Sequence, residues 1–84
     1  DESDEVLVSV PVDAGSDLAG TTIRDQEIRT TTGMLVIAIR REAADDGETD
    51  WLLTPDPGTR LRPGDNLIAK GTRTGADRLR DLAG

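Results

Sequence analysis

The stretch Gly33-Met34-Leu35-Val36-Ile37-Ala38-Ile39-Arg40-Arg41 decides the fold. Six apolar residues, Met34 to Ile39, run without a break between an opening glycine and two closing arginines. A run this short and this rich in Val and Ile reads as a strand covered on both faces, not as a helix. No other stretch is as apolar, so it is the expected central strand. A Thr30-Thr31-Thr32-Gly33 turn stands at its near end. An acidic hairpin loop, Glu42 to Asp50, stands at its far end.

Working upstream, Val6, Val8, Val10 and Val12 alternate with other residues and share one face of a half-buried strand. Pro11 lacks an N–H, which places the end of this strand at a sheet edge. Asp13 to Asp17 is a loop. Thr22 with Asp25 resembles a capping box, so a helix of about two turns is expected over the following residues, anchored by Ile23 and Ile28. Working downstream, Asp46-Gly47 is a turn signal, and Asp50 to Thr54 is the returning strand. Pro55-Asp56-Pro57-Gly58 ends that strand, because two prolines cannot sit inside a sheet. Pro63-Gly64 fits the central positions of a type II turn. Asn66 to Lys70 is the last strand, stopped by Gly71. Thr74 is the expected cap of a terminal helix, with Asp77 favourably placed in its first turn. Ala76, Leu79, Leu82 and Ala83 form its apolar stripe. The expected fold is therefore α+β, a small curved four-stranded sheet in β-α-β-β-β-α order with the terminal helix covering it.

A chain of 84 residues is one domain with a small core. The domain proper is expected over residues 6–84, with the charge run at residues 1–5 a disordered tail or linker end. The absence of an initiating Met reads as excision from a longer protein. No Cys is present, which excludes disulfides and thiolate metal sites, and no His, which removes the commonest general base. The net charge of -7 argues against nucleic acid and anionic membrane surfaces. No segment is long enough to span a bilayer. Lys70 is the only lysine, and the acidic, Lys-poor balance reads either as an ordinary soluble acidic surface or as that of a halophilic protein from a salt-loaded cytoplasm.

Catalysis finds no support, since no serine has a histidine to serve it and no carboxylate lies inside an apolar run. Asp45, Asp46, Glu48 and Asp50 could attract a hard cation, but they lack the EF-hand pattern and read as a solvated hairpin tip. No cofactor motif is visible, and the glycines do not form a phosphate loop. Arg29 is the residue of most interest. It stands between the short helix and the central strand, where a forked guanidinium could hold a phosphate or carboxylate. The plainer reading is a surface ion pair with Asp25 or Glu27.

Leu18-Ala19-Gly20-Thr21-Thr22-Ile23, Arg29, the Gly33-to-Arg41 strand, Thr54-Pro55-Asp56-Pro57, Leu61 to Ile68 and Gly71-Thr72 together resemble the RCK C-terminal domain, also called the TrkA-C domain. The resemblance implies a cytoplasmic regulatory module of potassium channels and potassium uptake proteins. It is placed at the inner face of the membrane by the rest of its parent chain or by a channel or transporter partner. It also implies a homodimer, which in some members holds cyclic di-AMP in a cleft between two copies. The positions that match that cleft here are Ile23, Arg29, Val36 and Pro55. One position departs. Nucleotide binders of the family carry Asn before the residue matching Val36, and here it is Leu35, which cannot make the same hydrogen bonds. Two functions follow. One is a ligand-sensing regulatory dimer, with a small anionic ligand such as a cyclic dinucleotide bound weakly. The other is a purely structural dimerisation domain with no small-molecule ligand.

Overall fold

The computed structural model describes residues 5–42 and 48–84. The elements are β1 (Val6–Pro11), α1 (Ile28–Thr32), β2 (Leu35–Glu42), β3 (Thr49–Leu53), β4 (Asn66–Gly71) and α2 (Arg73–Ala83). All pairings are antiparallel, and the sheet order is β1-β4-β2-β3. The apolar run is therefore an inner strand, as its composition requires. The strand that carries Pro11 is an edge strand, where a missing donor costs little.

Register fixes the two faces. Val8, Ala69 and Val36 form one cross-strand row on the inner face. Val10, Leu67, Ile39 and Leu52 form the next. Val10, Leu67, Ile39 and Ala69 are buried, packed with Leu79, Ala76 and Ala83 of α2 and with Leu18, Ile28, Met34 and Leu61. Full burial of each large aliphatic side chain contributes about 1.5–3 kcal/mol, so this inner layer carries the fold. A bulge between Val36 and Ala38 resets the register of β2 and bends it.

Among the described residues no helix covers the opposite face. Leu7, Trp51 and Leu53 stand there 64%, 55% and 72% exposed. Coverage of the central strand on both faces, expected from its composition, is thus not provided by the described residues. Ala38 is nonetheless buried, because Ile68 and Leu53 flank it in the register.

Two placements differ from the sequence expectation. The short helix does not follow Thr22. The Thr22 hydroxyl does accept from the Asp25 N–H at 3.0 Å, but residues 23–27 form consecutive turns and α1 starts only at Ile28. Glu27, in the left-handed conformation with φ 47° and ψ 47°, interrupts the helix. The threonines read as a turn are the second half of α1, which Gly33 ends at φ 78°. Of the expected anchors, Ile28 is buried and Ile23 only half-buried. The terminal helix is capped by Thr72, whose hydroxyl accepts from the Gly75 N–H at 3.0 Å, so Thr74 lies inside the helix. The type II turn is in place: Gly64 has φ 90°, and the Asp65 N–H donates to the Arg62 carbonyl at 3.0 Å. The acidic loop residues Asp45 and Asp46 lie outside the described residues. Among the described residues no helix is long and apolar enough to cross a membrane.

Candidate functional site

Three segments meet beside the start of β2 and leave a groove of about 430 Å³ between them. The first is the turn and helix from Ile23 to Thr30, the second the first residues of β2, and the third the Pro55–Pro57 loop. Ile23, Arg29, Val36 and Pro55, the four positions expected from sequence, all line this groove. Leu35, the departing position before Val36, lines it too, and so do Arg24, Glu27 and Pro57, which the sequence did not mark as site residues.

The walls are held by backbone bonds. The Gly20 N–H donates to the Leu61 carbonyl at 2.9 Å, and the Leu61 N–H donates to the Thr21 carbonyl at 2.7 Å. The Arg24 N–H donates to the Pro57 carbonyl at 2.8 Å. Two loops far apart in sequence are thereby laced into one wall. Pro55 and Pro57 add stiffness because their φ angles are fixed. Backbone groups bonded in this way need no water, so the groove can be apolar.

Behind the wall stands an ion pair. Arg41 of β2 donates through Nε to Asp65 Oδ1 at 2.9 Å and through Nη2 to Asp65 Oδ2 at 2.7 Å. Its Nη2 also donates to the Arg60 carbonyl at 3.0 Å, and the Arg62 N–H donates to Asp65 Oδ2 at 2.9 Å. The forked guanidinium thus ties the end of β2 to the turn after the Pro55–Pro57 loop. The hydrogen bond to Asp65 holds the Arg41 guanidinium above its ordinary pKa, against a smaller opposing effect of burial. Arg60 in turn donates to the Gly20 carbonyl at 2.5 Å, closing the chain of contacts back to the first wall.

The floor is Met34, fully buried. A Cβ added at Gly71 would lie 2.5 Å from its sulfur, and one added at Gly75 would lie 3.0 Å from it. Two glycines, one on β4 and one on α2, therefore make the slot that receives this side chain. Met34 is held from the other side as its N–H donates to the buried Thr32 hydroxyl at 3.1 Å.

Arg29 is exposed, and among the described residues no ion pair joins it to Asp25 or Glu27. The plainer reading of that residue is not what the structure shows. Chemically, the groove offers apolar walls of Ile23, Val36 and prolines, with guanidinium groups at the margin. That is the make-up of a small-molecule site. Among the described residues no group of three or more acidic side chains is placed to hold a metal ion.

Comparison with known proteins follows the same line. A family model, the TrkA-C domain, matches residues 7–84. A protein of Methanocaldococcus jannaschii named "Probable potassium channel protein 2" is 32% identical over 81 residues, which are 96% of this chain and 22% of that protein. The chain thus spans about a fifth of the length of that relative. The RCK domain of GsuK has a similar structure, with a TM-score of 0.71 at 30% identity over 95% of this chain and 16% of that one. The RCK C domain of the potassium transport protein KtrA, solved in complex with cyclic diadenosine monophosphate, has a TM-score of 0.72 at 29% identity. That match covers 93% of this chain and 82% of the other.

Proposed function

This chain belongs to the TrkA-C domain family, and from that premise we propose that it is a ligand-sensing regulatory domain of a potassium channel or potassium transport protein. It works on the cytoplasmic side as a homodimer. The observation that carries the reading is the groove itself: Ile23, Arg29, Val36 and Pro55, distant in sequence, line one cavity of about 430 Å³. That volume is within the usual range for small ligands, roughly 300–1,000 Å³. The likeness to the KtrA domain supports an anionic nucleotide as the ligand class. The bare sheet face with Leu7, Trp51 and Leu53 supports a partner copy, since a lone protomer leaves this apolar surface in water. A ligand that fits one arrangement of the dimer better than another shifts the population between them, and the rest of the parent protein reads that shift.

Leu35 favours a second reading, a dimerisation domain that binds nothing. It lines the groove 37% exposed and offers a ligand no hydrogen bond. A polar ligand group left unpaired there costs on the order of 1–3 kcal/mol. Calorimetric titration of cyclic di-AMP into the parent, Leu35→Asn and Arg29→Ala proteins separates the two. The ligand-sensing reading expects weak binding by the parent, stronger binding by Leu35→Asn and none by Arg29→Ala. Binding that survives Arg29→Ala would place the site elsewhere. No binding by either the parent or Leu35→Asn would leave the structural reading.

A further inference from the structure

We propose that the open edge of β1, beside a second groove between β1 and α2, docks an extended polypeptide segment that adds to the sheet as a strand, with acidic residues at its ends. The site shares no residue with the groove at the start of β2 and does not depend on it.

The backbone shows which groups are on offer. The Val12 N–H donates to the Asp65 carbonyl, and the Val12 carbonyl accepts from the Gly64 N–H, both at 2.8 Å. Val12 thus turns both backbone groups toward the β4 side. These directions alternate along an antiparallel strand, so Val10, Val8 and Val6 turn theirs toward β4 as well. Leu7, Ser9 and Pro11 turn theirs outward. Pro11 has no N–H to offer, which closes one end of the edge. Leu7 and Ser9 each present an N–H and a carbonyl, and among the described residues β4 is the only strand beside β1. Such a row is a template for another strand.

The side chains specify the partner. On the inner face Val6 and Val8 are half-buried, and with Ala76 they floor a groove of about 370 Å³ beside Arg73, Asp77 and Arg80 of α2. A strand laid along β1 sends every second side chain to that face. Those side chains meet two valines and an alanine, so aliphatic residues suit them. The rim sets the charge. Among the described residues Arg73 makes no ion pair or hydrogen bond, and Arg80 reaches Asp77 only at 3.4 Å in an exposed pair. The rim therefore carries two positive charges and one negative in a chain of net charge -7. Seven helical residues separate the two arginines by about 10 Å along α2, with Asp77 between them. An acidic residue is held at either end by a forked guanidinium, and a basic one is repelled there. A second copy pairing β1 with β1 would set two rims of the same charge side by side, which favours a separate acidic segment as the occupant.

The test uses the full chain, isotope-labelled for nuclear magnetic resonance, and the peptide acetyl-Glu-Thr-Val-Thr-Val-Thr-Glu-amide titrated to millimolar concentration. With the valines in the groove, the threonine backbone groups face β1. The peptide should shift the amide signals of Leu7 and Ser9 and slow their hydrogen exchange. With Lys in place of both Glu it should bind about tenfold more weakly, since two exposed charge pairs are reversed. The double variant Arg73→Gln, Arg80→Gln should lose that preference. A peptide N-methylated at the threonines should not bind. Unmoved Leu7 and Ser9 signals, equal binding of the two charge forms, or binding by the N-methylated peptide would each overturn the proposal. Signals of Leu7 and Ser9 that move with protein concentration but not with peptide would also overturn it, and would make the edge an interface between copies.

Discussion

Gly75→Ala is the substitution for which sequence and structure give opposite signs. Gly75 lies in the first turn of α2, and glycine in a helix is worth up to about 1 kcal/mol less than alanine. Propensity alone therefore expects the change to stabilise. The structure expects the reverse. A Cβ at Gly75 would lie 2.5 Å from the backbone carbonyl oxygen of Thr32, 3.0 Å from Met34 Sδ and 3.2 Å from Met34 Cγ. The methionine can swing away; the carbonyl, at the end of α1, cannot. Helix α2 must then lift from α1, and overpacking of this kind costs roughly 1–3 kcal/mol. Set against the full propensity gain, the net loss is about 0–2 kcal/mol, centred near 1 kcal/mol. For a domain of this size each kcal/mol is about 4–8 °C of melting temperature. The assay is chemical denaturation followed by far-UV circular dichroism, with Gly15→Ala as the control. Gly15 has nothing within 4 Å of its virtual Cβ, so that variant should change stability by no more than about 0.5–1 kcal/mol in either direction. A Gly75→Ala protein more stable than the parent would refute the close approach of the two helices. Because Met34 forms the floor of the groove, the same variant should also weaken any ligand bound there.

Removing one partner of the Arg41–Asp65 pair should be severe. Asp65 is 2% exposed and Arg41 17%, so Asp65→Ala leaves a largely buried guanidinium and should cost about 3 kcal/mol in denaturant titration; a loss under about 1 kcal/mol would show that the pair does not tie β2 to the turn. Thr54 has φ 45°, a strained value for a β-branched residue, and Thr54→Gly should stabilise by up to about 1 kcal/mol as relief of strain outweighs the entropy of glycine. Melting temperature should climb from low to molar NaCl, because screening within a Debye length of about 3 Å at 1 M relieves the self-repulsion of net charge -7; an equal rise in sorbitol would exclude screening as the cause. Light scattering coupled to gel filtration in molar salt should give the mass of a dimer, and a monomer mass at every concentration would exclude a cleft between copies.

The sequence by itself determined the element order, the inner strand, the edge strand with Pro11 and the Pro63-Gly64 turn. These follow from local rules: apolar period, the missing N–H of proline, and the positive φ that glycine accepts. Four groove residues were legible as well, but only because Ile23, Arg29, Val36 and Pro55 stand in a family pattern. Tertiary structure decided the rest. The start of α1 moved from Thr22 to Ile28 because contacts with the 57–61 loop hold residues 21–24, and local capping is worth only about 1 kcal/mol against them. Arg24 was invisible as a site residue because it sits inside the expected short helix, and only the fold brings the Pro55–Pro57 loop beside it. Asp65 read as part of a turn, and only the fold brings Arg41, 24 residues away, to its carboxylate. The glycine slot for Met34 was equally hidden, since a close approach between β4, α2 and the start of β2 leaves no mark in the pattern of any one of them. Spacing along the chain reports which face a residue occupies within its own element; which elements then meet is settled by packing, where contacts distant in sequence outweigh local preference.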